Sequence, residues 1–335
     1  MLVNSLEEVI NKAFEKNIKI GAEMEIYIID AYEDVYKLLE DSSVLENIYG
    51  EFDERVYRDY YEYQLEIRTN PSDDWKEVAN ELIELMKEVS RVAKEQQCFI
   101  APVSYIQGGM FNGFHVHVSV EPEVNFPRMI KTAFALYPFM FDICRITLSA
   151  PFEDPAWGRV LSLRQLESPH IGVPPMDFDN DELEWYWVHS DSAQRDNRYH
   201  DIIINTNRRS GRSRIKNVNT IEVRMFDCVG SRIAIKCVIE SVWKVAKFVN
   251  PEWFEKYRRN TTLMAKIKRL IRNSRLALVK ASQWVNPITL TTPAELLDWL
   301  DTDNRLLDSW ITWAWYDYEE IVNPDFHAGV SYPLA

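Results

Sequence analysis

Four short stretches of this chain pair acids or bases two residues apart. Glu23 and Glu25 stand in Gly21-Ala22-Glu23-Met24-Glu25, and Glu66 and Arg68 in Leu65-Glu66-Ile67-Arg68. His115 and His117 stand in Phe114-His115-Val116-His117-Val118-Ser119, and Glu222 and Arg224 in Ile221-Glu222-Val223-Arg224. The intervening residues are apolar, and a period of two marks a strand. Side chains two apart on a strand share a face and stand about 7 Å apart. Neighbouring carboxylates repel, so something cationic must hold them. Any one stretch reads equally well as an ordinary half-exposed strand, or as two histidines paired by chance. Four of them together point to a shared polar face. Carboxylates with one or two imidazoles and no thiolate suit hard or borderline divalent ions such as Mg²⁺ or Mn²⁺. So many anionic ligands exceed the needs of one ion, and two or three ions bridged by phosphate oxygens fit them better.

The elements that must position these pairs can be read in outline. Residues 4–17 read as a short helix and 19–29 as the first strand, with Ile20, Ala22, Met24, Ile26 and Ile28 on its apolar face. An excursion or small helix is expected around Val35–Leu45. The strand at 64–68 ends at Pro71, which cannot donate to a ladder. Ser72-Asp73-Asp74 caps a helix from Trp75 to Glu95, with Val78, Leu82, Leu85, Met86, Val89, Val92 and Ala93 as its apolar stripe. Strands are expected at 98–106, 113–120, 200–206 and 220–227, and a helix at Phe126–Leu148 interrupted by Pro138. From about Ser231 the chain reads as helical, through 231–248, 251–283, 294–303 and 304–322. The expected fold is α+β, with a curved, mainly antiparallel sheet that has helices on one face and the polar pairs on the other. A catalytic core at 1–230 is followed by a helical region at 231–335. Pro151–Asn197 has no periodicity, and a stretch of that length inside a compact chain reads as a lid or substrate loop.

Composition narrows the function classes. A formal net charge of −14 over 335 residues argues against bulk affinity for nucleic acid or an acidic membrane surface. Cys98, Cys144, Cys228 and Cys237 have no CxxC spacing, which fits a reducing compartment without a disulfide framework or zinc site. No signal peptide is visible, and no apolar run reaches the roughly 18–20 residues that span a bilayer. A cytoplasmic protein without membrane attachment is expected. Lys256 to Lys280 carries nine basic residues and no acidic one. It reads as a solvated helix face or as a dock for an acidic carrier protein or nucleic acid, which the turn Arg208–Lys216 could join.

The motifs resemble those of the glutamine synthetase–glutamate-cysteine ligase superfamily, especially carboxylate-amine ligases related to glutamate-cysteine ligase. Gly21 to Glu25 is similar to a G-x-E-x-E strand. Asp59, followed by Leu65-Glu66, Thr69 and Pro71, looks like an acid, a spacer and L-E-x-x-T with proline close behind. Gly113 to Ser119 resembles G-x-H-x-H-x-S, and Thr220 to Arg224 resembles T-x-E-x-R. Ser149-Ala150-Pro151-Phe152 and Ser162-Leu163-Arg164 are similar to an NSPF…SxR segment, with alanine replacing part of the usual NSP. The resemblance covers about Gly21 to Asp227; the C-terminal third carries no such motif.

The resemblance implies a glutamine synthetase-like catalytic sheet and an ATP-dependent ligase. The γ-phosphate passes to a carboxylate, and an amine attacks the acyl phosphate. Glu25, Asp59 and Glu66 would hold one ion, with Glu62 an alternative to Asp59. Glu23, His115 and Glu222 would hold a second. His117 would contact phosphate, Arg224 would stabilise the transferring phosphoryl group, and Arg164 would clamp a carboxylate or phosphate. Ser119 and the weaker Arg198 complete the nucleotide-binding candidates. The implied substrates are an amino acid, glutamate-like through its γ-carboxylate, and an amine, and family members are commonly homo-oligomers. Two alternatives remain at this stage. One is a phosphotransferase of the guanidino-kinase type on the same fold. The other is a non-catalytic protein that binds an acidic partner through its basic segment.

Overall fold

The computed structural model describes residues 5–32, 35–59, 61–104, 111–120, 126–147, 153–154, 159–160, 201–205, 220–256, 260–272 and 284–303. Its organising element is strand β1 (Ile18–Tyr32), long enough to serve two sets of neighbours. Residues 18–24 pair with β6 (Gly113–Val120), and 23–27 pair with β4 (Gln64–Arg68) on the other edge. Further along, β1 pairs with β5 (Cys98–Ala101) and β2 (Val35–Leu38). The remaining strands are β3 (Val56–Arg58), β9 (Ile202–Asn205) and β10 (Thr220–Asp227). The path through the sheet runs β3-β4-β1-β6-β10-β9, and every pairing in it is antiparallel. A separate pair, β7 (Glu153–Asp154) with β8 (Arg159–Val160), lies at the start of the aperiodic stretch. The rest of that stretch, including Arg164, is outside the described residues, as are Arg198 and 304–322.

One face of this sheet is apolar and covered. Ile20, Met24, Ile26, Leu65, Ile67, Phe114, Val116, Val118, Ile221 and Val223 are all buried. Each such side chain contributes about 1.5–3 kcal/mol when withdrawn from water. The cover is helical. Short helices α1 (Leu6–Val9) and α2 (Ser42–Gly50) precede α3 (Trp75–Glu95). Asp74 caps α3 by accepting from the Lys76 N–H, and its predicted apolar stripe is buried against β1, β4 and β5. Helix α4 (Phe126–Thr147) packs on β9 and β10, and α5 (Arg232–Phe248) on α3, α4, β1 and β6. Helices α6 (Thr261–Arg272) and α7 (Pro293–Trp299) follow, α7 opening on a capping box between Thr292 and Glu295.

Several expected boundaries move, each for a local reason. The helix read over 4–17 breaks at Ile10, whose backbone bridges to Val249, while Asn11 caps a separate 3₁₀ turn at Lys12–Phe14. The excursion near 35–45 is strand β2 followed by α2, with Asp41 as its cap. The strand read over 98–106 stops at Ala101. Pro138 lies inside α4 without ending it. An interior proline costs roughly 3 kcal/mol, here set against a helix buried over almost every described position from Met129 to Cys144. The helix read over 294–303 ends at Trp299, and Asp301 turns the chain with a φ of 51°. Among the described residues no helix is long and apolar enough to cross a membrane.

Candidate functional site

The antiparallel registers bring the four polar pairs together. Glu23 lies opposite His115 on β6 and opposite Arg68 on β4. Glu25 lies opposite Glu66, and His117 stands between Gly21 on one side and Glu222 on the other. Between Val223 and Phe226 the β10–β6 register shifts by one residue, a bulge that falls at Arg224 and Met225. Bulges re-aim side chains and are common beside active sites. The Arg224 N–H donates instead to the Asp201 carbonyl, 2.8 Å away.

Two clusters of metal-competent groups result. In one, ligand atoms of Glu25, Asp59 and Glu66 all lie within 4.8 Å of one another. Asp59 reaches it because β3 and β4 form a hairpin in which Tyr57 is opposite Glu66, and the Asp59 N–H donates to the Gln64 carbonyl at 3.1 Å. Glu25 accepts from the Gly113 N–H at 2.6 Å, and Glu66 accepts from the Tyr57 hydroxyl. In the other cluster, Glu23, His117 and Glu222 meet the same 4.8 Å criterion. His115 is deeper, 1% exposed, with Nδ1 at 2.8 Å from Glu23 and 3.6 Å from Glu222. The geometry thus puts His117 at the third corner, where the sequence resemblance puts His115. Ser119 lies one step beyond His117 on that face, and its hydroxyl accepts from the Lys19 N–H.

The electrostatics differ between the clusters. Burial drives the Glu66 carboxyl well above the usual carboxylate range, and the charges of Glu23, Asp59 and Glu25 push it further. Burial pushes Glu23 the same way, but His117 and His115 outweigh it and hold Glu23 well below that range. Glu222 is also held low: burial opposes, and the Arg224 guanidinium, 2.5 Å away, prevails with help from His117. His115 is pushed down to about 4 by burial and by Arg224, so it is neutral at pH 7. His117 is raised, because Glu23 and Glu222 outweigh its burial.

These residues suit divalent cations. Five carboxylates (Glu23, Glu25, Asp59, Glu66, Glu222) face two guanidinium groups (Arg68, Arg224), which leaves excess negative charge in a largely buried site. Buried charges are costly unless paired or bound to metal. The His115 Nε2 is buried with no hydrogen-bond partner among the described residues. Oxygen donors, with an imidazole in the second cluster alone, match Mg²⁺ or Mn²⁺.

Two participants had no assigned role in the sequence reading, although Arg68 belonged to one of its polar pairs. Arg68 donates through Nε to Glu66, lies 3.4 Å from Glu23, and stacks 4.2 Å above the Tyr57 ring. Its alternation with Glu66 was the available signal. For Tyr57 there was none, because only the hairpin brings it to Glu66. Of the basic segment 256–280, α6 is described and carries Lys266 and Arg269 exposed.

No family model matches the chain, and no curated protein matches it in sequence. Solved structures do. A bifunctional glutathione synthetase from Pasteurella multocida is similar with a TM-score of 0.53 at 13% identity, over 95% of this chain and 51% of that one. A glutamate-cysteine ligase from Francisella tularensis, solved in complex with AMP, is similar with a TM-score of 0.51 at 12% identity, over 92% of this chain and 82% of that one. The chain has a glutamate-cysteine ligase-like fold. It spans about half the length of the bifunctional glutathione synthetase. At these identities the likeness establishes architecture, the open antiparallel sheet with its helical cover.

Proposed function

We propose that this chain is an ATP- and divalent-metal-dependent carboxylate-amine ligase that forms an amide through an acyl phosphate. The observation that carries the reading is the adjacency of two three-residue ligand clusters on neighbouring strands of a ligase-like sheet, with arginines at hand. A triphosphate and a carboxylate repel each other, so their reaction requires a cage of cations. Divalent ions bound there would supply that cage by neutralising phosphate oxygens.

In this reading Glu25, Asp59 and Glu66 hold one ion, and Glu23, Glu222 and His117 a second. His115 braces both carboxylates of the second cluster from the buried side. Arg224, oriented by Glu222, presents fixed positive charge to the phosphoryl group in transfer. Ser119 and, outside the described residues, Arg164 and Arg198 remain candidates for nucleotide or carboxylate contacts. The acid's carboxylate oxygen attacks the γ-phosphorus and ADP departs. The amine nitrogen then attacks the acyl carbon, expelling phosphate and losing one proton. Residues 1–230 carry this chemistry in the proposal. The donor acid is an amino acid, glutamate-like, and the acceptor is a free amine or one on an acidic partner docked along 256–280, where Lys266 and Arg269 are exposed.

The test is ADP release with Mg²⁺ or Mn²⁺ against pools of amino acids and amines. ADP is expected only when acid and amine are both present, and Glu23→Gln is expected to remove it. ADP formed with one substrate alone, leaving a stable phosphorylated product, would shift the assignment to a phosphotransferase. An absence of metal-dependent nucleotide binding would overturn the reading.

A further inference from the structure

The two ligand clusters are joined by Arg68. Its Nε donates to Glu66 Oε1 in the first and lies 3.4 Å from Glu23 Oε2 in the second. The same Glu23 oxygen is 3.3 Å from His117 Nε2. One nitrogen of a cation therefore lies beside a carboxylate from each cluster. Several features make this a held charge. The guanidinium plane rests over Tyr57, and cation–π contacts restrain such a group. The Tyr57 hydroxyl donates to the Glu66 oxygen that Arg68 contacts, so ring, acid and arginine lock one another. Strand pairing sets both partners, Arg68 opposite Glu23 and Tyr57 opposite Glu66. The side chain is 34% exposed, and no protein partner is recorded among the described residues for its two terminal nitrogens. A guanidinium offers five donors in a rigid fork, and among the described residues no hydrogen bond occupies those on the two terminal nitrogens, which suit an anion.

Resting on the ligase reading, we propose that Arg68 is a built-in cation in place of a third divalent ion: it ties the two clusters together and turns its free donors toward the nucleotide's phosphate chain. The chain then binds two divalent ions per active site. Arg68 is a positioning residue for the two clusters and a direct contact for phosphate.

The experiment counts Mn²⁺ ions by electron paramagnetic resonance with a non-hydrolysable ATP analogue and follows thermal unfolding without metal. Wild type is expected to bind two Mn²⁺. Arg68→Met keeps the length of the side chain and loses its charge. It is expected to unfold at lower temperature without metal, to regain stability with Mn²⁺, and to bind a third ion with weaker nucleotide affinity, by roughly tenfold or more for a lost charge-assisted contact. Arg68→Lys, a charge without the fork, is expected to bind two ions and to recover metal-free stability but only part of the nucleotide affinity. Three ions on wild type, or two on both wild type and Arg68→Met with metal-free unfolding unchanged, would overturn the assignment while leaving the ligase reading intact. A wild type that binds no Mn²⁺ overturns the ligase reading and this one with it.

Discussion

The two ligand clusters share strand β1, one with three carboxylates and the other with two and an imidazole, and their acids behave in opposite ways. Glu23 and Glu222 are held ionised by His117, His115 and Arg224, which outweigh the cost of burying them. Glu66 sits among Glu23, Asp59 and Glu25 and is driven toward its protonated form in spite of Arg68. One cluster carries its counter-charge within the fold; the other lacks enough of it, and in the proposed function an ion would supply the rest. The difference follows from which neighbour each register supplies. β6 and β10 bring imidazoles and a guanidinium to Glu23 and Glu222, whereas β4 and the β3–β4 hairpin bring further carboxylates to Glu25.

The sharpest way to break this contrast is Glu23→Gln in metal-free protein. Removing one member of a buried charge network costs roughly 3–5 kcal/mol, so the denaturant midpoint is expected to fall with its slope unchanged. A midpoint within error of wild type would mean that the second cluster carries no internal pairing.

A control lies on the helical side of the sheet. Asp142 in α4 accepts from Trp284 Nε1 and Asn286 Nδ2, both at 3.0 Å, with Arg145 one turn away stacked on the Trp284 ring and Glu295 as a further acid acting on it. Burial raises it to about 8, partly opposed by those two hydrogen bonds and by Arg145. Its folded pKa lies above the unfolded one, so its contribution to stability is complete below about pH 4 and lost as pH rises through 8. The loss is on the order of a few kcal/mol. Asp142→Asn, which mimics the protonated form, is expected to flatten the unfolding temperature across that window. A profile as steep as that of wild type would assign the pH dependence elsewhere.

Glu66→Gln tests the first cluster with a smaller effect of opposite sign. Removing the repelled charge should stabilise metal-free protein at neutral pH by about 1 kcal/mol, while the rise of its unfolding temperature with Mn²⁺ becomes smaller than in wild type. Destabilisation would show that the bonds from Tyr57 and Arg68 outweigh the repulsion.

Gly21→Ala is expected to do least. A methyl there would meet only Pro71 Cα and Thr69 Oγ1, each at 3.9 Å. Stability should be unchanged or raised by about 0.4–1 kcal/mol through the unfolded chain. A fall in nucleotide affinity at unchanged stability would show that the space beside His117 belongs to the ligand.

Much of this architecture was legible in the sequence because burial imposes a period. Alternation marked β1, β4, β6 and β10, and a 3.6-residue stripe behind the capping stretch Ser72-Asp73-Asp74 marked α3, whose cap is Asp74. Helices α1 and α2 were harder to place, because a bridge to Val249 and an aspartate cap decide their ends. The helix across Pro138 escaped the local rule because its penalty is set against tertiary burial.

The sequence alone determined that four strands would each present a polar pair on one face, since side-chain direction in a strand depends only on parity. It could not determine which pairs would meet. That rests on register, where a one-residue slip sends every side chain to the other face. Register placed Glu23 against His115 and Arg68, set Glu222 beside His117, and brought Asp59 and Tyr57 to Glu66 through a hairpin. Which histidine would complete the second cluster and which arginine would bridge the two were decided by long-range pairing, because no local preference of the chain encodes the distance between residues 23, 68, 117 and 222.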